Sequence, residues 1–152
     1  MEEFKGEEIG EILPMKYPYM ILDELRVEEK KCAQAVIMLK EDDWFFKCHF
    51  PGNPILPGFL LLESMGQTLL STFIRQTDSG DCKVPLMAGI KDIKFEGFCI
   101  PGDKVIINAE LVKFKYGIAK GVVRSYKNEV SDSSILAEIN MSFALSSALE
   151  RA

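Results

Sequence analysis

The sequence predicts an α+β domain in which one long buried helix is wrapped by a curved antiparallel sheet. Two observations carry this. The stretch FLLLESMGQTLLSTFIRQ, residues 59–76, is apolar on most of its faces, and a helix greasy nearly all round is a buried one. Around it run segments that alternate apolar and polar residues at the strand period, separated by short polar turns. Strands joined by short turns pair antiparallel.

The elements follow in order. Residues 7–13 form a short helix stopped by Pro14, and residues 19–27 a strand in which apolar residues give way to charge. The charged run 28–31 is a solvated turn. Strand character resumes over 32–39, with Ala33, Ala35, Ile37 and Leu39 alternating. Residues 41–46 are a polar then aromatic loop, with Trp44, Phe45 and Phe46 read as packing residues, or alternatively as residues that shape a tunnel mouth. Pro57 and Gly58 open the long helix, which runs to about Gln76; proline suits a first turn, where its missing N–H costs nothing. Residues 77–83 are a solvated turn. Strands follow over 86–95, 104–114 (Val105, Ile107, Ala109 and Leu111 alternating), 117–126 and 134–145. The turns between them fall at IPGD (100–103), at Tyr116-Gly117 and at KNEVSDS (127–133).

Length and composition narrow the function. At 152 residues the chain is expected to be a single domain spanning 1–152 with one small core, for which dimerisation is an aid. A net charge of −5 argues against non-specific nucleic-acid binding and against an anionic membrane surface. Cys32, Cys48, Cys82 and Cys99 include no C-x-x-C pair, and with a single histidine they make no zinc set. The acidic start MEEFKGEEIGEI has no apolar signal region, and the greasiest run, 55–62, is too short to span a bilayer. A cytoplasmic protein with free thiols is the expectation.

His49 is the only histidine, and it opens HFPGNPILPGFLLLE, fourteen residues before Glu63. Histidine titrates near neutrality, whereas a carboxyl among Leu and Met is favoured in its neutral form by desolvation. A base and an acid with opposed environments are what proton-transfer chemistry needs. Gln67 lies one turn after Glu63 and shares its face. Cys48 next to His49 invites a Cys–His nucleophile, but neighbours in an extended segment point to opposite faces, so Cys48 is read as a small apolar filler.

The segment HFPGNPILPGFLLLESMGQ resembles the active-site segment of the 3-hydroxyacyl-[acyl-carrier-protein] dehydratases of type II fatty-acid synthesis, which have the hotdog fold. EILPMKYPYMILDEL is similar to that family's N-terminal stretch, LMAGIKDIKFEGFCIPGDKVIINAELVKFKYGIAKG to its central strands and AEINMSFAL to its last strand. The resemblance implies loss of water from a 3-hydroxyacyl thioester to give a trans-2-enoyl thioester, with no metal or redox cofactor and the substrate carried on phosphopantetheine. His49 would accept the C2 proton, and Glu63 would protonate or orient the departing 3-hydroxyl. The Gly58 N–H at the helix N-terminus would stabilise the thioester oxyanion, and Gln67 would position the carboxyl group. The implied site spans a homodimer interface, with subunits paired through edge strands; some members form hexamers from three dimers. The implied acyl tunnel is walled by Phe59, Leu62, Met65, Phe95, Phe98 and Ile100. The implied partner is an acyl carrier protein, or acyl-coenzyme A.

Three departures from the family pattern stand out. Met15 occupies a place where histidine is usual. Cys48 replaces a glycine, which a side chain fits only if φ there is not positive or the loop has shifted. Glu96 and Gly97 stand where arginines usually dock the acidic carrier, although Lys91 and Lys94 remain. With a net charge of −5 this weakens attraction to an acidic carrier and points to a specialised carrier, a secondary-metabolite or modified-lipid pathway, or a coenzyme A thioester. The competing readings are a hotdog thioesterase, a non-catalytic dehydratase-like subunit, and a dehydratase that also isomerises trans-2 to cis-3.

Overall fold

The structure, a computed structural model, describes residues 1–76 and 84–146. Seven strands form one antiparallel sheet: β1 (Glu2–Lys5), β2 (Glu24–Glu28), β3 (Cys32–Met38), β4 (Val84–Phe95), β5 (Lys104–Lys115), β6 (Ile118–Lys127) and β7 (Ile135–Ser146). Their spatial order is β1-β2-β3-β5-β6-β7-β4. The helix α1 (Gly58–Leu70) lies against β3, β5 and β6 at the centre of the sheet. Bulges in β4, β5 and β7 bend the sheet round it.

The alternation seen in the sequence is the inward face. Val105, Ile107 and Ala109 of β5 and Ala119 and Val123 of β6 are buried, and they meet Met65, Leu69 and Leu70 of α1. The closest approach is at Gly121. A Cβ there would run into the Leu69 side chain and stand 2.6 Å from the Glu110 carbonyl oxygen. The helix can sit this low on the sheet because position 121 has no side chain.

Several boundaries differ from expectation, each for a local reason. The α-helical part of 59–76 stops at Leu70. Beyond it, Ser71 Oγ donates to the Thr68 carbonyl and Thr72 Oγ1 to that of Leu69, both at 2.7 Å. These bonds tighten the chain into a turn and a 3-10 segment, Ile74–Gln76. The expected strand 19–27 begins only at Glu24, because Tyr19 and Met20 N–H donate back to the Lys16 carbonyl in a turn. The expected helix at 7–13 is a 3-10 segment, Gly6–Glu11, held by buried Ile9. Strand β1 and the 3-10 segment Trp44–Lys47 lay outside the sequence reading. Strand β4 does not pair with β5, its neighbour in the chain. It crosses to the far edge and pairs with β7. The turn expected at 77–83, with Cys82, lies outside the described residues.

The close approach at position 121 gives a direct test. Gly121→Ala overpacks the helix–sheet contact and is expected to lower stability by about 2 kcal/mol. A lowered urea midpoint with an unchanged slope is the expected result; an unshifted midpoint would show that the contact yields freely.

Candidate active site

The chain delivers His49 through a tightly bonded loop. The 3-10 segment Trp44–Lys47 ends with the Cys48 and His49 N–H groups both donating to the Phe45 carbonyl, at 3.3 and 3.0 Å. Phe50 and Asn53 exchange two backbone bonds of 2.8 Å each around Gly52, whose φ of +78° suits glycine. Ile55 N–H then returns to the His49 carbonyl at 2.9 Å, and Leu56 N–H to that of Cys99 at 2.9 Å. The imidazole stacks on the Phe50 ring, with centroids 4.0 Å apart.

His49 Nδ1 lies 2.8 Å from the Ile55 carbonyl oxygen. A carbonyl oxygen can only accept, so Nδ1 carries the proton in the neutral ring. Nε2 is left with its lone pair, as a base requires. The half-buried ring borders two cavities. One is a cleft of about 200 Å³ shared with Gly58, Leu61, Phe95, Phe98 and Cys99. The other is an open depression of about 550 Å³ shared with Tyr19, Trp44, Phe59, Leu62 and Glu63.

Gly58 is the first residue of α1, after Pro57. First-turn N–H groups have no partner within a helix, and the dipole there favours negative charge. A Cβ at position 58 would meet the Phe95 ring at 3.6 Å, an ordinary contact. Glycine here therefore adds open room beside Phe95 and is not forced by crowding within the chain.

Glu63 is half-buried, and its Oε1 accepts from Gln67 Nε2 at 3.1 Å. The same amide nitrogen reaches the Tyr19 carbonyl at 3.5 Å, and Gln67 is only 1% exposed. Both neighbours are acceptors, which fixes the amide orientation and leaves Gln67 Oε1 buried without a partner. Tyr19 escaped the sequence reading, since nothing in its spacing links it to Glu63. Its phenol is pushed up to about 12, first by burial and then by hydrogen bonding to Glu63 and the charge of that carboxyl.

Cys48 has φ −108°, so a side chain fits without strain. It is exposed and lines the depression beside His49, and so is not an apolar filler. The argument from alternation fails because this stretch closes a turn and is not extended. The thiol instead donates to the Phe45 carbonyl at 3.3 Å. Cys99, by contrast, is sealed, and burial first, then the charge of Asp103, pushes its thiol up to about 11.

The six expected wall residues divide. Phe59, 87% exposed, and Leu62 line the depression beside Glu63. Phe95 and Phe98 line the cleft beside Gly58. Lys127 Nζ holds the Phe98 loop, donating to its carbonyl at 3.2 Å and lying 5.5 Å from the ring centroid. Met65 is sealed in the core, and Ile100 stands exposed; neither lines either cavity. Among the described residues, no group of three or more His, Cys, Asp or Glu could hold a metal ion, and no helix is long and apolar enough to cross a membrane.

Comparison with known proteins identifies the family and the fold. The family model described as the FabA-like domain matches residues 13–138. The 3-hydroxyacyl-[acyl-carrier-protein] dehydratase FabZ of Listeria welshimeri is 33% identical over 141 residues, covering 92% of this chain and 94% of the relative. Its counterpart from Acetivibrio thermocellus is 35% identical over 140 residues, covering 91% and 92%. Among solved structures, the dehydratase heterocomplex ApeI:P from Xenorhabdus doucetiae superposes with a TM-score of 0.71 at 13% identity, over 91% of this chain and 90% of that one. The thioesterase superfamily member TTHA0967 of Thermus thermophilus gives 0.63 at 12% identity, over 83% and 92%. At such identities these two show the fold alone, and it is the hotdog fold. The breadth of the family match, together with relatives above 30% identity along nearly their whole length, means that this chain belongs to the FabA-like family.

Proposed function

We propose that this chain is a hydro-lyase that removes water from a 3-hydroxyacyl thioester to give a trans-2-enoyl thioester. The observation that carries the reading is the His49 ring. With Nδ1–H committed to Ile55, Nε2 keeps its lone pair, and the ring lines both a cleft bordered by a helix N-terminus and a depression containing a carboxyl group.

The steps are these. Nε2 of His49 takes a proton from C2. The C–H electrons move toward the thioester carbonyl, whose oxygen gains charge and is met by the Gly58 N–H. As that charge returns, the C2=C3 bond forms and the C3–O bond breaks. The Glu63 carboxyl gives its proton to the leaving oxygen, so water departs. His49 then holds the extra proton and Glu63 lacks one, and passage of a proton from one to the other resets the site. Gln67 holds Glu63 in place. The bond changes at C2 and C3 are driven by proton transfers that the chain's own side chains can supply, with no change of oxidation state.

His49 and Glu63 of one chain share an open depression. A second copy closing over it is part of the proposal. Supporting this, β4 is a long strand at the sheet edge with Leu86, Met87, Ile93 and Phe95 open, and Phe59 and Phe50 are exposed beside the site. Such an edge invites pairing with an identical edge, giving a homodimer in which His49 of one copy faces Glu63 of the other. Hexamers of three such dimers extend the same scheme. We place the enzyme in the cytoplasm, in fatty-acid or related lipid or secondary-metabolite synthesis.

The thioester carrier is an acyl carrier protein or coenzyme A. Glu96 pairs with Lys94 at 3.2 Å, which removes one of the cations that an acidic carrier would meet. A carrier less acidic than usual, or coenzyme A itself, suits this surface.

The reverse reaction tests the chemistry. Hydration of a short trans-2-enoyl thioester, followed by loss of enoyl absorbance, is expected to fall about 100- to 10,000-fold in both His49→Ala and Glu63→Gln. Release of free thiol in place of hydration would mark a thioesterase and overturn the reading. The carrier surface has its own test. Glu96→Arg is expected to lower KM for a thioester on an acidic carrier by about fivefold at low salt, with the gain fading at high salt. KM for an uncharged pantetheine thioester should not move; an equal change in both would show that position 96 acts on the site and not on docking.

A further inference from the structure

The proposed chemistry fixes which way the substrate's carbon chain leaves the reacting centre. The thioester carbonyl lies at Gly58 and the C3 oxygen at Glu63. C3, and carbon 4 bonded to it, therefore stand at the depression that Glu63 lines, whichever copy supplies that carboxyl. That depression, of about 550 Å³, is also lined by Trp44 and Phe45. Behind these two rings runs a separate groove of about 660 Å³, floored by Met15, Met20, Ile37 and Met38. Trp44 and Phe45 line both spaces.

The two rings differ in how firmly they are held. Phe45 is 1% exposed and belongs to the core. Trp44 is 43% exposed and stands on Phe45 edge to face, with centroids 5.5 Å apart. Its indole N–H donates to the Pro18 carbonyl at 3.2 Å, which fixes the ring's orientation. The chain around it is also fixed. Asp43 Oδ2 accepts from the Lys40 N–H at 2.8 Å just before the ring, and His49 N–H returns to the Phe45 carbonyl just after it. Trp44 is thus a pinned plate between the depression and a groove whose apolar stretch, Met15, Met20, Ile37 and Met38, is flanked by the charged Glu7, Lys16, Asp23, Lys40 and Asp43.

We propose that Trp44 is the end wall of the acyl pocket, so that it sets the longest chain accepted, and that the groove behind it takes the tail once the indole is removed. The inference rests on the dehydratase reading for the direction of the chain. It assigns a specificity role to one residue and a ligand, the far end of an acyl chain, to the groove behind it.

The test is binding, so that it stands apart from turnover. Saturated acyl-pantetheine thioesters from butanoyl to hexadecanoyl are titrated by calorimetry into wild type, Trp44→Phe and Trp44→Ala. Each methylene that finds an apolar wall tightens binding by about fourfold. Wild-type affinity is expected to rise with length and then stop rising; in Trp44→Ala the rise continues, so that the longest chain gains at least about tenfold over the shortest relative to wild type. Trp44→Phe, which keeps an aromatic ring on Phe45, should fall between them, and it guards against a misfolded alanine variant. Trp44 is the only tryptophan, so wild-type fluorescence should change first at the chain length where affinity stops rising. The same length dependence in all three proteins, or no binding at any length, overturns the proposal. Hydration measured on the same samples separates the two ideas: length-dependent binding without hydration would leave the wall standing and remove the dehydratase reading.

Discussion

An imidazole that is to accept a proton at one nitrogen must commit the other. In this chain the commitment is the 2.8 Å bond from His49 Nδ1–H to the Ile55 carbonyl, and the rest of the site depends on it. The bond requires the chain to turn back on itself between residues 49 and 55. The turn is closed by the reciprocal Phe50–Asn53 bonds and by Ile55 N–H returning to His49. The prolines and Gly52 of FPGNP favour that turn, since the prolines restrict the unfolded chain and the glycine accepts a positive φ. The same turn ends at Pro57, where α1 begins. One short segment therefore places both the proposed base and the helix N-terminus beside it.

The position of α1 is set from below. Its sealed face, Met65, Leu69 and Leu70, rests on the inward residues of β3, β5 and β6, and Gly121 lets it come close. Lowering the helix onto the sheet also lowers Glu63 and Gln67, so Gln67 ends up almost fully buried between Glu63 and the Tyr19 backbone. A carboxyl group held this way loses rotamer freedom before substrate arrives, and pre-organisation of this kind is worth more than an additional contact. The packing of the core and the geometry of the acid are in this sense one feature.

Much of this could be read from the residues. The greasy helix and the alternating segments 32–39 and 104–114 correspond to α1, β3 and β5, because burial on one side imposes a period that sequence displays directly. His49, Gly58, Glu63 and Gln67 stand out in the sequence because they lie in one short segment with distinctive loop chemistry, and the fold sets His49 on one cavity with Glu63 and on another with Gly58. What escaped depends on contacts distant in sequence. Nothing near Val84 says that β4 will cross to β7 rather than pair with β5. Nothing near Tyr19 announces Glu63, which is supplied by the fold. The end of α1 at Leu70 was hidden because Ser71 and Thr72 read as ordinary members of a buried helix until their hydroxyls are seen to take main-chain carbonyls. Met65 was expected at a tunnel wall because apolar side chains on a buried helix look alike from sequence, whether they face core or ligand.

The central claim is that a base from one copy and an acid from another make each site, and mixing two inactive variants tests it most directly. His49→Ala and Glu63→Gln are unfolded together, refolded and assayed for enoyl hydration, with differently tagged chains to count the hybrids. In a hybrid dimer with shared sites, one site carries both substitutions and the other carries neither. Random pairing then restores activity to about a quarter of the wild-type level. Hybrids that form in the expected numbers yet stay inactive would show that His49 and Glu63 act within a single chain, contradicting the account of the site.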